Sequence, residues 1–310
     1  MKSSTVILLP YYNDQLSLDI LLQKFEELFG NQSAAEYLVL VVNDGSIDDI
    51  HLPDPVSFRI QLLPLYRNIG HQKAIAIGLA YIHHHITCDR VLIMDCDGED
   101  TPEDALSLLK VAEAQPTKII LAHRKSRQEG ILFRFFYSFY KFLFKWLTGH
   151  KIAFGNFMVL PRQRLSQLVY HSEIWNHLSA GVLKSGFEFV PVRISRGKRY
   201  AGESKMSFHS LLLHGLGAIS VFLERVASRL LFLSSLLIFV SVVAIIIIIC
   251  IRSFTSLAIP GWASSVLSAM FIVLLQGFLL SLFTIFLFLS SQSQKKFIPA
   301  HHYQDYTSNV

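Results

Sequence analysis

The sequence predicts an α/β domain with a mostly parallel sheet, followed by a C-terminal two-helix transmembrane hairpin. Three observations carry this reading. Short β-rich apolar runs alternate with helical patterns over residues 5–122. The run from Val91 to Asp100 delivers two carboxylates, Asp95 and Asp97, to the end of one such strand. Over residues 230–291 the only formally charged residue is Arg252, in a chain of 310 residues that is 52% hydrophobic and 16% charged, with mean hydropathy +0.41. That composition is too apolar for an ordinary soluble protein.

Residues 5–9 and 37–42 read as strands, and residues 16–29 between them have helical apolar spacing, which makes a β-α-β unit. A third strand follows at 60–65, a helix at 73–85, a fourth strand at 91–94, a helix at 102–114 and a fifth strand at 118–122. Such alternation puts ligands outside the carboxyl ends of the strands. Four of those ends carry polar residues in turn: Tyr12, Asn13 and Asp14; Asn43 and Asp44; Arg67, Asn68, Ile69 and Gly70; and Asp95 to Asp97.

Residues i and i+2 of a strand point the same way, so Asp95 and Asp97 can converge on one cation where the strand ends. Oxygen-only ligands favour Mg2+ or Mn2+ over zinc. A solvated acidic turn is the alternative for an isolated D-x-D pair. Gly70, His71, Gln72 and Lys73 open the helix after the third strand, offering backbone N–H groups and an ammonium to phosphates or, alternatively, only starting a core helix. His83, His84 and His85, and His301 and His302 in the polar tail, read as solvated, since adjacent side chains on a helix splay apart.

Residues 131–147 hold nine aromatic residues, with Arg134, Ser138, Lys141 and Lys145 in one polar stripe. This suits an amphipathic helix lying in a membrane interface, with burial against the domain or a second subunit as the alternative. Residues 230–251 and 266–289 are each long enough to cross a hydrocarbon core of roughly 30 Å. The linker carries Pro260 and Gly261, and mid-span Gln276 suits a hydrogen bond across the pair. Arg225 and Arg229 before the first span and Lys295 and Lys296 after the second outweigh Arg252, which predicts both ends in the cytoplasm. The chain then divides into a cytoplasmic domain (1–205), a juxtamembrane helical segment (206–229), the two spans, and a cytoplasmic tail (292–310). Residues 1–13 do not read as a cleavable signal peptide.

Cys88, Cys96 and Cys250 are too dispersed for zinc or a disulfide framework. The net charge of +5 suits anionic lipid or phosphate, and no motif supports nucleic-acid binding.

Taken together, Pro10-Tyr-Tyr-Asn-Asp14, Val42-Asn-Asp-Gly-Ser46, Asn68-Ile-Gly-His71 and Met94-Asp-Cys-Asp97 resemble the motifs of family 2 glycosyltransferases of the GT-A fold. The resemblance is to the polyprenyl-phosphate branch, which includes dolichol-phosphate mannose synthase and bacterial polyprenyl-phosphate glucosyltransferases. It extends through Arg124 and Arg127, Gly155-Asn-Phe157 with Leu160, and Ala201-Gly-Glu-Ser-Lys205 to the hairpin, covering almost the whole chain. It implies a metal-dependent, inverting transfer of one sugar from a UDP- or GDP-linked donor to undecaprenyl or dolichyl phosphate. The implied setting is the cytoplasmic face of the cell (inner) membrane, by a homo-oligomer working with a separate lipid-sugar flippase.

By that resemblance Pro10, Tyr12, Asp14, Asp44, Asn68, Lys73 and Asp95 bind the donor nucleotide. Asp95, Asp97 and Glu99 hold Mg2+ or Mn2+, with Glu99 standing where relatives often have Gln. Asp97, Arg124 and Arg127 are the catalytic set, and Arg124, Arg127, Arg134, Arg199, Ser204 and Lys205 face the acceptor and its phosphate. A juxtamembrane basic belt on anionic lipid is the alternative for part of that charge. Two departures stand out: Asn156 replaces an Asp, and Met206 an aromatic residue. Two other functions compete, a processive polysaccharide synthase and a non-catalytic membrane scaffold. The run Glu173 to His177 lacks the Q-x-x-R-W acceptor motif of the first, and intact Asp44, Asp95 and Asp97 argue against the second.

Overall fold

Seven strands form one sheet in the order β3-β2-β1-β4-β6-β5-β7. The structure, a computed structural model, describes residues 2–29, 36–54, 57–124, 131–151, 154–195, 197–201, 208–255 and 261–308. Strands β1 (Lys2–Tyr11), β2 (Tyr37–Asn43), β3 (Arg59–Pro64) and β4 (Thr87–Ile93) run parallel, and β5 (Ile119–Arg124) pairs in parallel with β7 (Phe189–Ile194). Among the described strands only β6 (Met158–Pro161) is reversed, pairing antiparallel with both β4 and β5. The sequence reading had no strand for β6 or β7, because β6 is four residues long and β7 alternates around a proline.

Period-two alternation splits the sheet's side chains into two cores. Val6 and Leu8 join the cluster under α2 (His71–His85), α5 (Arg162–Leu168) and α6 (Leu178–Ser185), while Ile7 and Leu9 join the cluster under α1 (Gln15–Phe29) and α3 (Pro102–Ala114). Helix α3 starts sharply: Thr101 Oγ1 accepts from the Asp104 N–H, Pro102 occupies the first turn, and Glu103 and Asp104 face the positive end of the helix dipole.

Helix α4 (Ile131–Thr148) presents Phe139 and Phe142 at 57% and 66% exposure and buries Phe144. Tyr140 Oη donates to Gly215 O of α7 (Phe208–Ser220). The helix thus has both an exposed aromatic face and an anchored one.

The chain divides into two compact units, one of residues Met1–Lys145, His150–Val221 and Lys296–Val310, the other of Trp146–Gly149 and Phe222–Lys295. In the second unit α8 (Leu223–Phe254) and α9 (Trp262–Ser293) are each 32 residues, about 48 Å, so both extend past the apolar runs that reveal them. They pair antiparallel along small residues at intervals of seven: Ala227, Ser234 and Ser241 are buried on α8, and Gly277 and Thr284 on α9. That interval is the seam of a left-handed helix pair. The polar contact across it is Ser234 Oγ to Ser281 Oγ at 2.7 Å, not the expected Gln276, which lies on the exposed side.

The last residues are not the free polar tail that their composition predicts. They return to the sheet unit as a short helix α10 (Pro299–His302) and a 3-10 turn (Tyr303–Tyr306), burying Ala300 and Tyr303 in the core beside α2. Thr307 bridges Leu65 beyond the end of β3, and Ser308 N donates to Pro64 O. His84 and His85 are exposed, as predicted, and in addition bond Ala300 O at 3.0 Å and Tyr303 Oη at 2.7 Å.

Candidate active site

The carboxyl ends of β1, β2, β3 and β4 meet at one edge, and their loops are tied together. Asn13, with φ +47°, donates its N–H to Ser46 Oγ at 3.0 Å and accepts the Ile47 N–H at 3.0 Å through Oδ1. Asp44 N donates to Tyr11 O. Gly45 has φ +66°, and a Cβ there would stand 2.4 Å from the backbone of Arg67 and Asn68, so only glycine lets the loops after β2 and β3 pass this closely.

Asp44 is 3% exposed, and its two oxygens accept the N–H groups of Ile69 at 2.7 Å and Gly70 at 2.9 Å. Burial pushes its pKa up, and the two N–H donors hold it partly down. Asp44 therefore shapes the loop that opens α2. Tyr12, 40% exposed, and Asn68 present open surface at the same edge, with Asp14 partly exposed beside them. Pro10 is interior, its carbonyl facing Cys96 Sγ, whose pKa burial drives far up.

Beyond β4 the chain turns at Gly98, φ +89°, where the Tyr200 ring fills the place a Cβ would take. Asp95 Oδ1 accepts from His71 Nε2 at 2.8 Å, and His71 Nδ1 accepts from the Gln72 amide at 3.3 Å. Burial opposes charge on His71, but Asp95 outweighs it and raises the imidazole pKa. Asp97 accepts the Glu99 N–H at 3.0 Å on one oxygen and meets Arg199 Nη2 at 3.2 Å on the other. Its pKa is raised, by burial first and then by the like charge of Asp95. The segment carrying Arg199 is laced to this loop: Gly197 N donates to Glu99 O, and Tyr200 N to Asp97 O. Burial beside Glu103 and Asp97 pushes the Tyr200 phenol up to about 12. Asp100, almost fully buried, accepts the Asp95 N–H and so braces the loop.

Among the described residues no three His, Cys, Asp or Glu side chains gather as a metal centre, so Glu99 does not complete one with Asp95 and Asp97. Two carboxylates still fit a hard divalent cation, which takes its remaining ligands from phosphate oxygens and water.

The reversed strand β6 starts beside the end of β4, Met158 opposite Ile93, which brings Asn156 to the same edge. Asn156 Oδ1 accepts from Ser179 Oγ at 3.4 Å. Helix α6 is joined to the rim by Leu178 N, which donates to Gln72 Oε1 at 2.8 Å. His177 caps α6 by accepting the Ala180 N–H through Nδ1, so its other nitrogen carries the proton and donates to His214 Nε2 at 3.1 Å. Lys73 Nζ lies 5.2 Å from the centre of the Trp175 ring.

Pro10, Tyr12, Asp14, Asp44, Asn68, Lys73, Asp95 and Asp97 thus share one sheet edge, with Arg199 joined to them. Arg124 ends β5 opposite Ile194; its side chain and that of Arg134 lie outside the described residues, as do Arg127, Ser204, Lys205 and Met206 altogether. Sequence reasoning missed His71 as the partner of Asp95 and Tyr200 as the filler of the Gly98 turn. Neither is signalled locally, since each meets its partner from a different part of the chain.

Comparison with known proteins agrees with this architecture. Residues 6–167 match glycosyl transferase family 2, and the chain belongs to that family. It is 26% identical over 269 residues to the uncharacterized glycosyltransferase YkcC of Bacillus subtilis, covering 83% of this chain and 80% of that protein. It is 34% identical over 130 residues to the undecaprenyl-phosphate 4-deoxy-4-formamido-L-arabinose transferase of Sodalis glossinidius, covering 40% and 38% of the two chains. In fold it is similar to glucosyl-3-phosphoglycerate synthase from Mycobacterium tuberculosis in complex with Mn2+ and UDP-glucose. That likeness has a TM-score of 0.51 at 12% identity and covers 72% of this chain and 79% of that one.

Proposed function

We propose that this family 2 glycosyltransferase moves one sugar from a UDP- or GDP-linked donor to a polyprenyl phosphate at the cytoplasmic face of the cell membrane, inverting the anomeric carbon. The observation that carries the reading is a pair of carboxylates at the carboxyl edge of a parallel sheet, in a chain that also has two helices long and apolar enough to cross a membrane. Relatives named undecaprenyl-phosphate transferases support the acceptor class.

Asp95 and Asp97 would hold Mg2+ or Mn2+, which when bound neutralises charge on a departing diphosphate. Tyr12 offers a face for the base, and Asp14 accepts hydrogen bonds from base or ribose. Asp44 acts through the loop it holds, keeping Gly70 and the start of α2 in position. Lys73 answers the diphosphate, and Arg124 and Arg127 the acceptor phosphate, with Arg134, Arg199, Ser204 and Lys205 on the acceptor side. A lipid phosphate with a second pKa of about 6 is already ionised at neutral pH, so the protein has to place it rather than deprotonate it. Asn156, an amide, fits a mechanism without a protein base. The exposed face of α4 lies in the membrane interface, and the excess of Arg225, Arg229, Lys295 and Lys296 over Arg252 sets both ends of the hairpin in the cytoplasm.

The decisive experiment incubates membranes holding the protein with radiolabelled UDP- and GDP-sugars and undecaprenyl or dolichyl phosphate, with and without Mn2+. One donor should label the lipid, and Asp97→Asn should lower that transfer by about a thousandfold while the protein stays folded. Near-normal turnover of Asp97→Asn at saturating Mn2+ would overturn the metal assignment.

A further inference from the structure

The carboxyl-terminal segment ends in an aromatic stack whose last member is a cation of the site. Phe297 stacks on Trp175 with ring centres 3.8 Å apart at 30°, and Tyr306 braces the pair from the side, tilted at 5.4 Å from Trp175 and edge-on at 5.6 Å from Phe297. On Trp175 rests the ammonium of Lys73. The same segment grips the strand that leads into the Asn68–Gly70 loop: Tyr66 N donates to Tyr306 O at 3.0 Å, and Ser308 N to Pro64 O at 3.1 Å. None of these three rings belongs to the two main buried cores; all are partly exposed at their rim.

An indole face attracts an ammonium through its quadrupole, and a ring stacked behind the indole fixes the plane on which the cation sits. A lysine otherwise carries a flexible four-carbon stem and loses much rotamer entropy when it is held against a phosphate. We infer that the carboxyl-terminal segment is a positioning element of the nucleotide site: Phe297 holds Trp175, and Trp175 holds Lys73 ready for the diphosphate. This rests on the reading of Lys73 as a diphosphate ligand. It makes the residues after the second long helix part of the enzyme's binding apparatus, and it makes Trp175 and Phe297 positioning residues, since each acts through Lys73.

The test measures the affinity of the full chain in lipid nanodiscs for UDP and GDP with Mn2+ present, by calorimetry, so that no acceptor or sugar needs to be known. Lys73→Met should weaken the preferred nucleotide about tenfold. Phe297→Ala should weaken it about fivefold, and Phe297→Tyr should restore it. Trp175→Phe, which keeps a ring under the ammonium, should lie near wild type, and Trp175→Leu should match Phe297→Ala. In a Lys73→Met background Phe297→Ala should add nothing, because its effect passes through the lysine. The positioning role is overturned if Phe297→Ala and Trp175→Leu bind as wild type while Lys73→Met is weakened, or if the Phe297→Ala loss persists undiminished in the Lys73→Met background. Wild type that binds neither nucleotide overturns the donor reading itself, and unchanged binding by Lys73→Met removes Lys73 from the site and the inference with it.

Discussion

Leu8, Leu40 and Ile93 in the sheet are fully buried, whereas Phe232, Phe239 and Phe286 on the two long helices are 74%, 65% and 65% exposed. The interior positions are inverted to match: the sheet unit buries Val, Ile, Leu and Phe, and the helix pair buries Ser234, Ser241, Gly277 and Thr284. Water drives apolar side chains inward, but lipid tails are as apolar as leucine and give no such drive. Between helices in lipid, close backbone approach and hydroxyl hydrogen bonds are what remains to hold the pair. Each Ser or Thr hydroxyl on the seam bonds a carbonyl one turn back or a hydroxyl across, as Thr284 does to Leu280 O and Ser234 to Ser281.

The contrast breaks most readily at its apolar positions. Truncation of Leu40, Leu40→Ala, should cost about 2–5 kcal/mol through lost burial and a residual cavity. If the helix pair crosses the membrane as proposed, Phe286→Ala should change stability by no more than about 0.5 kcal/mol, because lipid would fill the space the ring leaves. Urea unfolding of the full chain in nanodiscs checks both, and an equal cost for the two would place Phe286 inside protein.

A bulky side chain on the seam sharpens the comparison next. A Cβ at Gly277 would already stand 3.0 Å from Ile238 Cγ1, so Gly277→Leu should separate the helices at a cost of about 1–3 kcal/mol, and Gly277→Ala at less. Disulfide trapping between Ser234→Cys and Ser281→Cys reports the separation. Undiminished trapping in Gly277→Leu would show that this glycine does not set the approach.

The smallest expected effect separates the buried polar groups of the two regions: hydroxyls on the seam do not titrate, but His177 does. Burial, with His214 alongside, lowers its pKa to about 3. The unfolded chain takes up a proton on this residue below pH about 6.5 that the folded chain refuses. Stability therefore falls as pH drops from about 6.5 toward 3, by up to about 1.4 kcal/mol per pH unit. Asp97, whose pKa is raised, acts with the opposite sign, since the folded state takes its proton first. His177→Asn keeps an acceptor for the Ala180 N–H and removes the titration, so its loss of stability from pH 7 to pH 5 should be about 1–2 kcal/mol smaller than that of wild type. Parallel acid limbs in the two proteins would contradict a neutral, buried His177.

Much of this is legible in the chain because it follows from local periodicity. Alternation and helical spacing identify β1 to β5 and α1 to α3, the strand-end position pairs Asp95 with Asp97, and two uncharged apolar runs reveal α8 and α9. Four parallel strands must then end together, so Tyr12, Asp44, Asn68 and Asp95 are bound to share an edge once the sheet is parallel. Strands as short as β6 have no period long enough to read.

What only the tertiary structure decided are the partners. Asp44 looks free to meet a nucleotide until the loop before α2 supplies two N–H groups to its oxygens. Glu99 looks like a third ligand, yet among the described residues its side chain does not gather with those of Asp95 and Asp97 as a metal centre. His84 and His85 stay exposed, as expected, but each also finds a partner more than two hundred positions later, Ala300 O and Tyr303 Oη, and Phe297 stacks on Trp175. A sequence states which faces are apolar and where carboxylates end a strand, because those depend on neighbours three or four residues away. Which distant donor satisfies a given acceptor is set by the closing of the chain on itself, which no local period records.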